Sequence, residues 1–206
     1  MGVFPPRRQK FDTIRLLMTG ISFPSQTIGV ISDTHLPDRS RKLDPSILEI
    51  FSNAKVSQIF HAGDISTPSV LKKLAKVAPV HAVRGNRDWT FIPPLPRIYT
   101  TVINGVSVGL THGHGSLKDY LVDKGYYLFD GYQFERYQQI LFKLLPTSRV
   151  IIFGHTHHAE NIKIGERLLF NPGTASLPDD RNQPPSIGLL HFHSNSSVNG
   201  EIIRLD

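Results

Sequence analysis

The sequence predicts an α/β protein in which helices pack on β-sheet, and three observations lead to that prediction. Short apolar runs rich in valine and isoleucine recur along the chain, as is typical of buried strands. Stretches of helical pattern lie between several of these runs. The chain has 206 residues, 39% hydrophobic and 19% charged, so it can form one ordinary globular domain with a substantial core.

Five apolar runs are predicted to be strands, and they cover residues 27–32, 57–62, 80–84, 106–111 and 149–153. Two helices are predicted to begin at a capping residue followed by proline: Asp44-Pro45 starts a helix through Phe51, and Thr67-Pro68 starts one through Lys76. A third helix is predicted over 134–145 from its apolar spacing. Hairpin turns are predicted at 103–106 and 163–168.

Each of the five predicted strands is followed closely by side chains that can bind a metal. In chain order they are Asp33 and His35, Asp64, Asn86, His112, and His155 and His157. Because α/β sheets gather ligands at the carboxyl ends of their strands, we expect all seven side chains at the same edge of the sheet. One ion takes about four to six ligands, so seven favour two ions bridged by a carboxylate, for which Asp64 is the candidate.

Cysteine is absent, which excludes disulfides and thiolate metal sites. Oxygen and imidazole ligands predict two divalent metal ions, manganese first, with iron, zinc, cobalt, nickel or magnesium as alternatives.

Residues 1–25 are predicted to be a basic, flexible extension, and residues 26–206 the domain. The extension carries four basic residues and the single acid Asp12. Its net charge is therefore half of the formal net charge of +6 that the whole chain carries. The small remaining surplus suits an anionic substrate and makes nucleic acid an unlikely partner. A transit peptide is the alternative for the extension. No apolar run reaches the length of a membrane span, and no secretory signal is recognisable, so a cytoplasmic location is expected.

The ordered elements "DTH", "GD", "GN", "HGH" and "GHTH" resemble the calcineurin-like metallophosphoesterase superfamily. The stretches "INGVSVGLTHGH" and "FGHTHHAE" look like its small single-domain phosphodiesterase branch, and the resemblance covers about residues 26–204. It implies a β-sandwich flanked by helices, with a dinuclear metal centre at one end. It also implies an assignment of ligands: Asp33, His35 and His157 to the first ion, Asn86, His112 and His155 to the second, and Asp64 to both.

The function implied by the resemblance is hydrolysis of a small phosphate ester, with a phosphodiester expected, by in-line attack of a metal-bridging hydroxide. Asn86, Arg87 and His114 are the expected catalytic residues, and Asn86 and Arg87 also bind the substrate. Arg87 stands where many members have a histidine acid. It can pair with phosphate, or it can be an exposed side chain with Asp88 as its partner. His114 either contacts the substrate or supports the ligands.

Two further hypotheses remain open. The superfamily includes a retromer coat subunit that serves as a protein-binding platform, so a non-catalytic metal-binding scaffold is the alternative function. The aromatic segment 123–133, which contains Tyr126, Tyr127 and Tyr132, is predicted to form a wall of the substrate pocket or a contact between subunits of a homo-oligomer.

Overall fold

Two five-stranded sheets lie face to face at the centre of the molecule. The computed structural model describes residues 23–38, 41–88, 94–115, 131–178 and 182–205. Within these ranges the strands are β1 (Gln26–Ile31), β2 (Gln58–His61), β3 (Val80–Ala82), β4 (Ile98–Ile103), β5 (Val106–Thr111), β6 (Val150–Ile152), β7 (Ala159–Ile164), β8 (Arg167–Pro172), β9 (Ser186–Phe192) and β10 (Val198–Arg204). The helices are α1 (Pro45–Asn53), α2 (Pro68–Leu74) and α3 (Phe134–Leu144).

The five predicted strands are all present, but they do not share one sheet as expected. The first sheet has the order β10-β9-β1-β2-β3, and the second has the order β4-β5-β6-β8-β7. Strands β1, β2 and β3 are parallel neighbours in the first sheet, while β5 and β6 are parallel neighbours in the second. The expectation of a single sheet edge was therefore wrong, because strand runs in a sequence do not reveal which sheet each run joins. The β-sandwich implied by the resemblance is confirmed.

Apolar side chains fill the spaces between layers. The sheets meet through a buried cluster that includes Ile28, Val30, Phe60, Val108, Leu110, Val150, Ile152, Phe170 and Leu190. Helices α1 and α2 cover the outer face of the first sheet, where Phe51 and Leu74 belong to the same cluster as Ile31. Helix α3 covers the second sheet through Leu141. Strand β1 is thus buried on both faces, which explains why it is a continuous apolar run.

The predicted helix starts and hairpins are confirmed. The Asp44 side chain accepts a hydrogen bond from Ser46 N at the start of α1, and the Thr67 side chain accepts one from Ser69 N at the start of α2. The hairpin between β4 and β5 turns at Asn104-Gly105, where both φ angles are positive. Helix α3 matches the predicted span and buries Tyr137 and Leu141.

Strands β9 and β10 were not predicted as separate elements. They pair with each other and with β1 in antiparallel fashion, so sequence-distant partners stabilise them. Most of the predicted extension and most of the aromatic segment, residues 123–130, lie outside the described residues. Among the described helices, none is long and apolar enough to cross a bilayer.

Candidate metal centre

The ends of five strands from the two sheets place the predicted ligands around one point between the sheets. Most of these residues hold an unusual backbone conformation, with φ between 46° and 71° at Asp33, His35, Asp64, His155 and His157. Residues other than glycine rarely adopt this left-handed region because the Cβ atom is crowded there. Such conformations cost roughly 1–3 kcal/mol each and cluster at functional sites. The backbone geometry therefore marks this place as a site, whatever family the chain belongs to.

The first group of facing side chains is Asp33, His35 and His157. Asp33 Oδ1 lies 3.6 Å from His35 Nε2 and 3.4 Å from His157 Nε2. The two Nε2 atoms lie 3.1 Å apart. Asp33 and His35 are buried, and His157 is partly exposed. Three ligand atoms so close together form a group that can hold a metal ion.

The second group adjoins the first and contains Asp64, His112, Asn86 and His155. Asp64 Oδ1 lies 3.5 Å from His112 Nε2, and Asp33, Asp64 and His112 can also hold an ion together. Asn86 Oδ1 lies 3.0 Å from His112 Nε2 and 3.1 Å from His155 Nδ1. Asp64 Oδ2 faces the other way, 3.9 Å from His35 Nδ1. The Asp64 carboxylate thus has one oxygen toward each group.

The environment of Asp33 and His112 fits a bound cation. Asp33 Oδ2 accepts hydrogen bonds from Ser32 Oγ and from His155 N, whereas Asp33 Oδ1 is buried and accepts none from the residues that the structure describes. A buried carboxylate oxygen without a hydrogen bond is costly unless a cation satisfies it. His112 Nδ1 donates to the carbonyl oxygen of Ala62 at 2.7 Å, so the lone pair of its Nε2 faces the cluster. Both observations match an oxygen and imidazole metal site.

The pKa shifts of the two buried carboxyl groups also favour a bound cation. Burial raises the pKa of the Asp33 carboxyl, but the imidazoles of His157, His112 and His35 outweigh burial and bring that pKa below its usual value. For Asp64, burial outweighs the attraction of His112 and raises the pKa. Two buried carboxylates side by side repel each other, so added positive charge stabilises the site.

The imidazoles differ among themselves. Burial lowers the pKa of His112, but the carboxylates of Asp64 and Asp33 outweigh it and raise that pKa above its ordinary value. Burial and the charge of His112 hold the pKa of His155 well below its ordinary value. His155 is therefore neutral, which is the form that binds a metal.

Two glycines allow the loops to approach the ligands closely. A Cβ atom at Gly85 would lie 2.1 Å from Asp64 Oδ1, and one at Gly154 would lie 2.0 Å from Ser32 Oγ and 2.8 Å from Asp33 Oδ2. A side chain at either position would therefore displace the Asp64 or the Ser32 and Asp33 side chains. The glycine before Asn86 and the glycine before His155 are thus required by the geometry of the carboxylates.

Asp88 supports this site through hydrogen bonds that its place in the sequence does not reveal. Asp88 is buried, and its Oδ1 accepts hydrogen bonds from the backbone N–H groups of Ile65 and Ser66, while its Oδ2 accepts from Gly85 N. All three bonds are short, 2.8 Å. Asp88 is therefore not the partner of Arg87, because its buried carboxylate is directed to backbone donors and no ion pair joins it to the exposed Arg87 side chain. The sequence does not show that the N–H groups of these buried loops need a side chain as their acceptor.

Other supporting residues come from distant parts of the chain. Thr174 Oγ1 and Ser176 Oγ donate to the backbone oxygen of Asp33, and Asn171 Nδ2 donates to the backbone oxygen of Gly154 and to Thr156 Oγ1. All three residues lie in the stretch "NPGTAS", residues 171–176. It holds the loops that carry Asp33 and His155.

Arg87 and His114 lie on the Asn86 side of the cluster. The Arg87 side chain is exposed, and its backbone N–H donates to Asp64 Oδ1 at 2.9 Å. The ring of His114 lies 5.3 Å from the ring of His112 and 6.0 Å from that of His155. Burial, followed by the charges of His112, Arg97 and Arg84, lowers the pKa of His114 to about 4. Arg97, whose guanidinium reaches His114, was not singled out from the sequence.

Aromatic side chains border the His155 side of the cluster. Tyr137 is buried, and its ring meets the His155 ring edge-on at 6.3 Å. Tyr132 stacks on Tyr137 at 5.5 Å, and its hydroxyl donates to Glu160 Oε1. Of the predicted aromatic segment, only residues 131–133 are described, and there Tyr132 packs against the molecule's own side chains.

Comparisons with known proteins agree with this geometry. A sequence profile of the calcineurin-like phosphoesterase superfamily domain matches residues 27–195. The chain is 33% identical over 178 residues to a protein of Methanothermobacter thermautotrophicus named "Probable metallophosphoesterase", covering 86% of this chain and 91% of that protein. It is 26% identical over 162 residues to a protein of Methanocaldococcus jannaschii named as a phosphodiesterase, covering 71% of this chain and 82% of that protein.

The fold also matches a solved structure of Vps29 from Entamoeba histolytica, a protein complexed with zinc in that structure. The TM-score is 0.62 at 22% sequence identity, and the match covers 88% of this chain and 100% of that one. At this identity the likeness concerns the fold. The profile and the archaeal relative, however, each span most of the sequence, and the chain therefore belongs to the calcineurin-like phosphoesterase superfamily.

Proposed function

We propose that this protein is a phosphodiesterase that works with two divalent metal ions. The observation that supports the proposal most directly is the buried Asp33 Oδ1. It accepts no hydrogen bond from a described residue, while the Nε2 atoms of His35 and His157 lie within 3.6 Å of it. Polar groups arranged in this way satisfy one another poorly without a cation. A catalytic metal site also needs an accessible side, which the partly exposed His157 and the exposed Arg87 provide.

The ligands divide into two sets under this proposal. Asp33, His35 and His157 hold the first ion, and Asn86, His112 and His155 hold the second. Asp64 joins both sets, in agreement with the opposite directions of its two oxygens. Two divalent ions bound there would lower the pKa of a bound water, which would serve as the nucleophile. They would also place positive charge next to the phosphate oxygens.

The chain's own residues orient the substrate. Asn86 lies between the imidazoles of His112 and His155, so its amide is fixed where it can contact a phosphate oxygen. Arg87 follows on the exposed rim and can pair with a non-bridging oxygen, which stabilises charge as it develops. Arg87 cannot donate a proton near neutral pH. The leaving group must therefore be a good one, or it must take a proton from water or from another residue such as His114, which favours aryl diesters over alkyl phosphates.

The identity of the ions is part of the proposal. Carboxylate, amide and imidazole ligands suit manganese, iron, zinc, cobalt and nickel, and availability decides among them. We place manganese first, with magnesium as a weaker alternative. The zinc in the Vps29 structure shows that this fold can carry a divalent ion.

The test is reconstitution of the demetallated protein with each ion, followed by assays with bis(p-nitrophenyl) phosphate and p-nitrophenyl phosphate. These substrates share a leaving group and differ in being a diester and a monoester. We expect at least one ion to restore turnover, with the diester preferred. A protein that elemental analysis shows to be loaded with two ions, but that turns over neither substrate with any ion, would contradict the proposal.

A protein-binding scaffold is the second candidate, and the likeness to Vps29 supports it. Metal binding does not separate the two candidates, because a Vps29 is itself complexed with zinc. Turnover does separate them. The cytoplasmic location, the homo-oligomer through 123–133 and the absence of nucleic-acid binding stay predictions.

A further inference from the structure

The His114 imidazole has one buried nitrogen without a partner. His114 Nδ1 is inaccessible to solvent and makes no hydrogen bond with any described residue. Its other nitrogen, Nε2, lies 3.5 Å from an NH2 group of Arg97. Because the guanidinium only donates hydrogen bonds, Nε2 must be the acceptor of this pair. The proton of the neutral ring is then on Nδ1, which is a buried donor with no acceptor among the described residues.

A buried N–H donor without an acceptor is costly, and a ligand oxygen would satisfy it once the neighbouring side chains move apart to admit that oxygen. The ring of His114 neighbours the rings of both His112 and His155. A ligand oxygen bound to His114 would therefore lie beside the metal cluster rather than within it. The donor is thus placed for a group next to the reacting phosphate.

Arg97 adds positive charge at the same place. It precedes β4 and is exposed, and the same NH2 group donates to the backbone oxygen of Gly115. No ion pair joins Arg97 to an acidic side chain in the described part of the molecule. The charge of Arg84 also acts on His114, and Arg87 follows Asn86 on the same rim. This side of the centre is therefore cationic, while the carboxylates of Asp33 and Asp64 lie in the cluster itself.

We propose that Arg97 and His114 form an anion subsite beside the metal centre, which selects phosphodiesters that carry a second phosphate near the scissile one. This inference rests on the proposed function and narrows its substrate class. Arg97 supplies charge and a fork of donors, and His114 Nδ1 supplies one directed hydrogen bond. A diester without a second phosphate binds at the metal centre only, and this subsite then stays empty.

The test uses two esters with the same leaving group: thymidine 5′-(p-nitrophenyl phosphate), with and without a 3′-phosphate. The metal-loaded parent should prefer the ester with the 3′-phosphate by about tenfold or more in kcat/KM, since hydrogen bonds between charged groups are the strong ones. Arg97→Gln should bring this ratio close to one, mainly through KM. Arg97→Lys should keep part of it. Arg149→Gln removes an exposed arginine beside β6, at the end of the strand opposite the site, and should leave the ratio unchanged.

The ratio of the kcat/KM values for the two esters distinguishes binding of the second phosphate by Arg97 from a structural role of Arg97. If Arg97 only anchors the loop at Gly115, Arg97→Gln will change both esters in proportion and leave the ratio intact, which would overturn the proposal. A parent that does not distinguish the two esters would also overturn it.

Binding gives a readout that does not depend on turnover. Calorimetry with thymidine 3′,5′-bisphosphate and thymidine 5′-monophosphate should show tighter binding of the bisphosphate to the parent, and loss of this difference in Arg97→Gln. If neither ester is hydrolysed, the proposed function fails, and calorimetry still decides on the subsite. Equal binding of the two nucleotides would then reject the subsite, and a preference abolished by Arg97→Gln would support it.

Discussion

Asp64 sends one carboxylate oxygen toward each half of the metal cluster, and this makes Asp64→Asn the most informative single change. Asparagine keeps the shape but offers only one oxygen and no charge. We expect the bound metal, measured by elemental analysis, to fall from two ions to one or fewer, with loss of most catalysis. The fold should persist, because burial raises the pKa of Asp64 and the metal-free protein therefore gains little from its charge.

Two measurements check this expectation together. Urea unfolding in the presence of a chelator should give Asp64→Asn a free energy of unfolding equal to or above that of the parent. An active Asp64→Asn protein with two tightly bound ions would show that Asp64 does not bridge them.

Arg87 is exposed at the rim beside Asn86, so its side chain can be removed with little effect on packing. If it stabilises charge in the transition state, Arg87→Ala should lower kcat/KM for aryl diesters by about tenfold or more. Arg149→Ala is the matched control, since it removes an exposed arginine remote from the centre. Equal kcat/KM for Arg87→Ala and the parent on every active substrate would make Arg87 a bystander.

His61 gives the fold a dependence on pH that does not involve the metals directly. It is buried at the end of β2, and its Nδ1 accepts a hydrogen bond from Gly63 N, which requires the neutral ring. Burial is the main reason that its pKa falls to about 4. The unfolded chain, with an ordinary histidine pKa of about 6.5, binds this proton first as the pH falls. Stability from His61 is therefore complete above pH 6.5 and is lost as the pH falls toward 4.

The effect can be isolated with His61→Asn, whose Oδ1 can take over the bond from Gly63 N. In chelator, the parent should lose on the order of 2 kcal/mol of unfolding free energy between pH 7.5 and 4.5 through His61 alone. The variant should be less stable at both pH values because its side chain is smaller, but its pH dependence should be flatter by that amount. Parallel curves for the two proteins would contradict the assignment.

At the scale of elements, Asp88 ties the loop after β2 to the turn after β3. Its carboxylate accepts from Ile65 N and Ser66 N on one side and from Gly85 N on the other. In Asp88→Asn the amide NH2 would face one of these N–H donors, so we expect a loss of roughly 2 kcal/mol in unfolding free energy. The loops carry Asp64 and Asn86, so metal affinity should also fall.

Glu49→Gln is the control for Asp88→Asn, because it removes an exposed carboxylate from α1. It should change neither stability nor metal affinity measurably. If Asp88→Asn binds both ions with the affinity of the parent, Asp88 stabilises the loops without positioning the ligands.

At the scale of the whole molecule, metal binding should stabilise the fold, since the ligands come from loops of both sheets. An ion present at a hundred times its Kd adds about 2.7 kcal/mol, which raises Tm by roughly 5–10 °C in a domain of this size. Thermal unfolding of the demetallated protein, with and without each ion, measures this shift. The double variant Asp33→Asn/Asp64→Asn should show no shift. A parent whose Tm is the same with every ion would indicate that no structural ion joins the two sheets.

The sequence by itself determined the local elements and the chemistry of the site. Continuous apolar runs predicted β1, β2, β3, β5 and β6. Such runs are typical of strands buried between two layers, because these strands have no polar side to alternate with, and β1 is an example. Asp44 and Thr67 predicted the starts of α1 and α2, because capping depends on neighbouring residues alone. The seven candidate ligands could be identified because each of them closely follows one of these five strands.

Tertiary structure decided how these parts meet. It placed the five strands in two sheets instead of one, since pairing with β9 and β8 depends on residues far along the chain. It assigned Asp88 to backbone donors instead of Arg87, and it brought the guanidinium of Arg97 to the ring of His114 at the open end of the β4–β5 hairpin. Hydrogen bonds and charges between sequence-distant groups depend on distances in space, and those distances exist only once the two sheets have packed together.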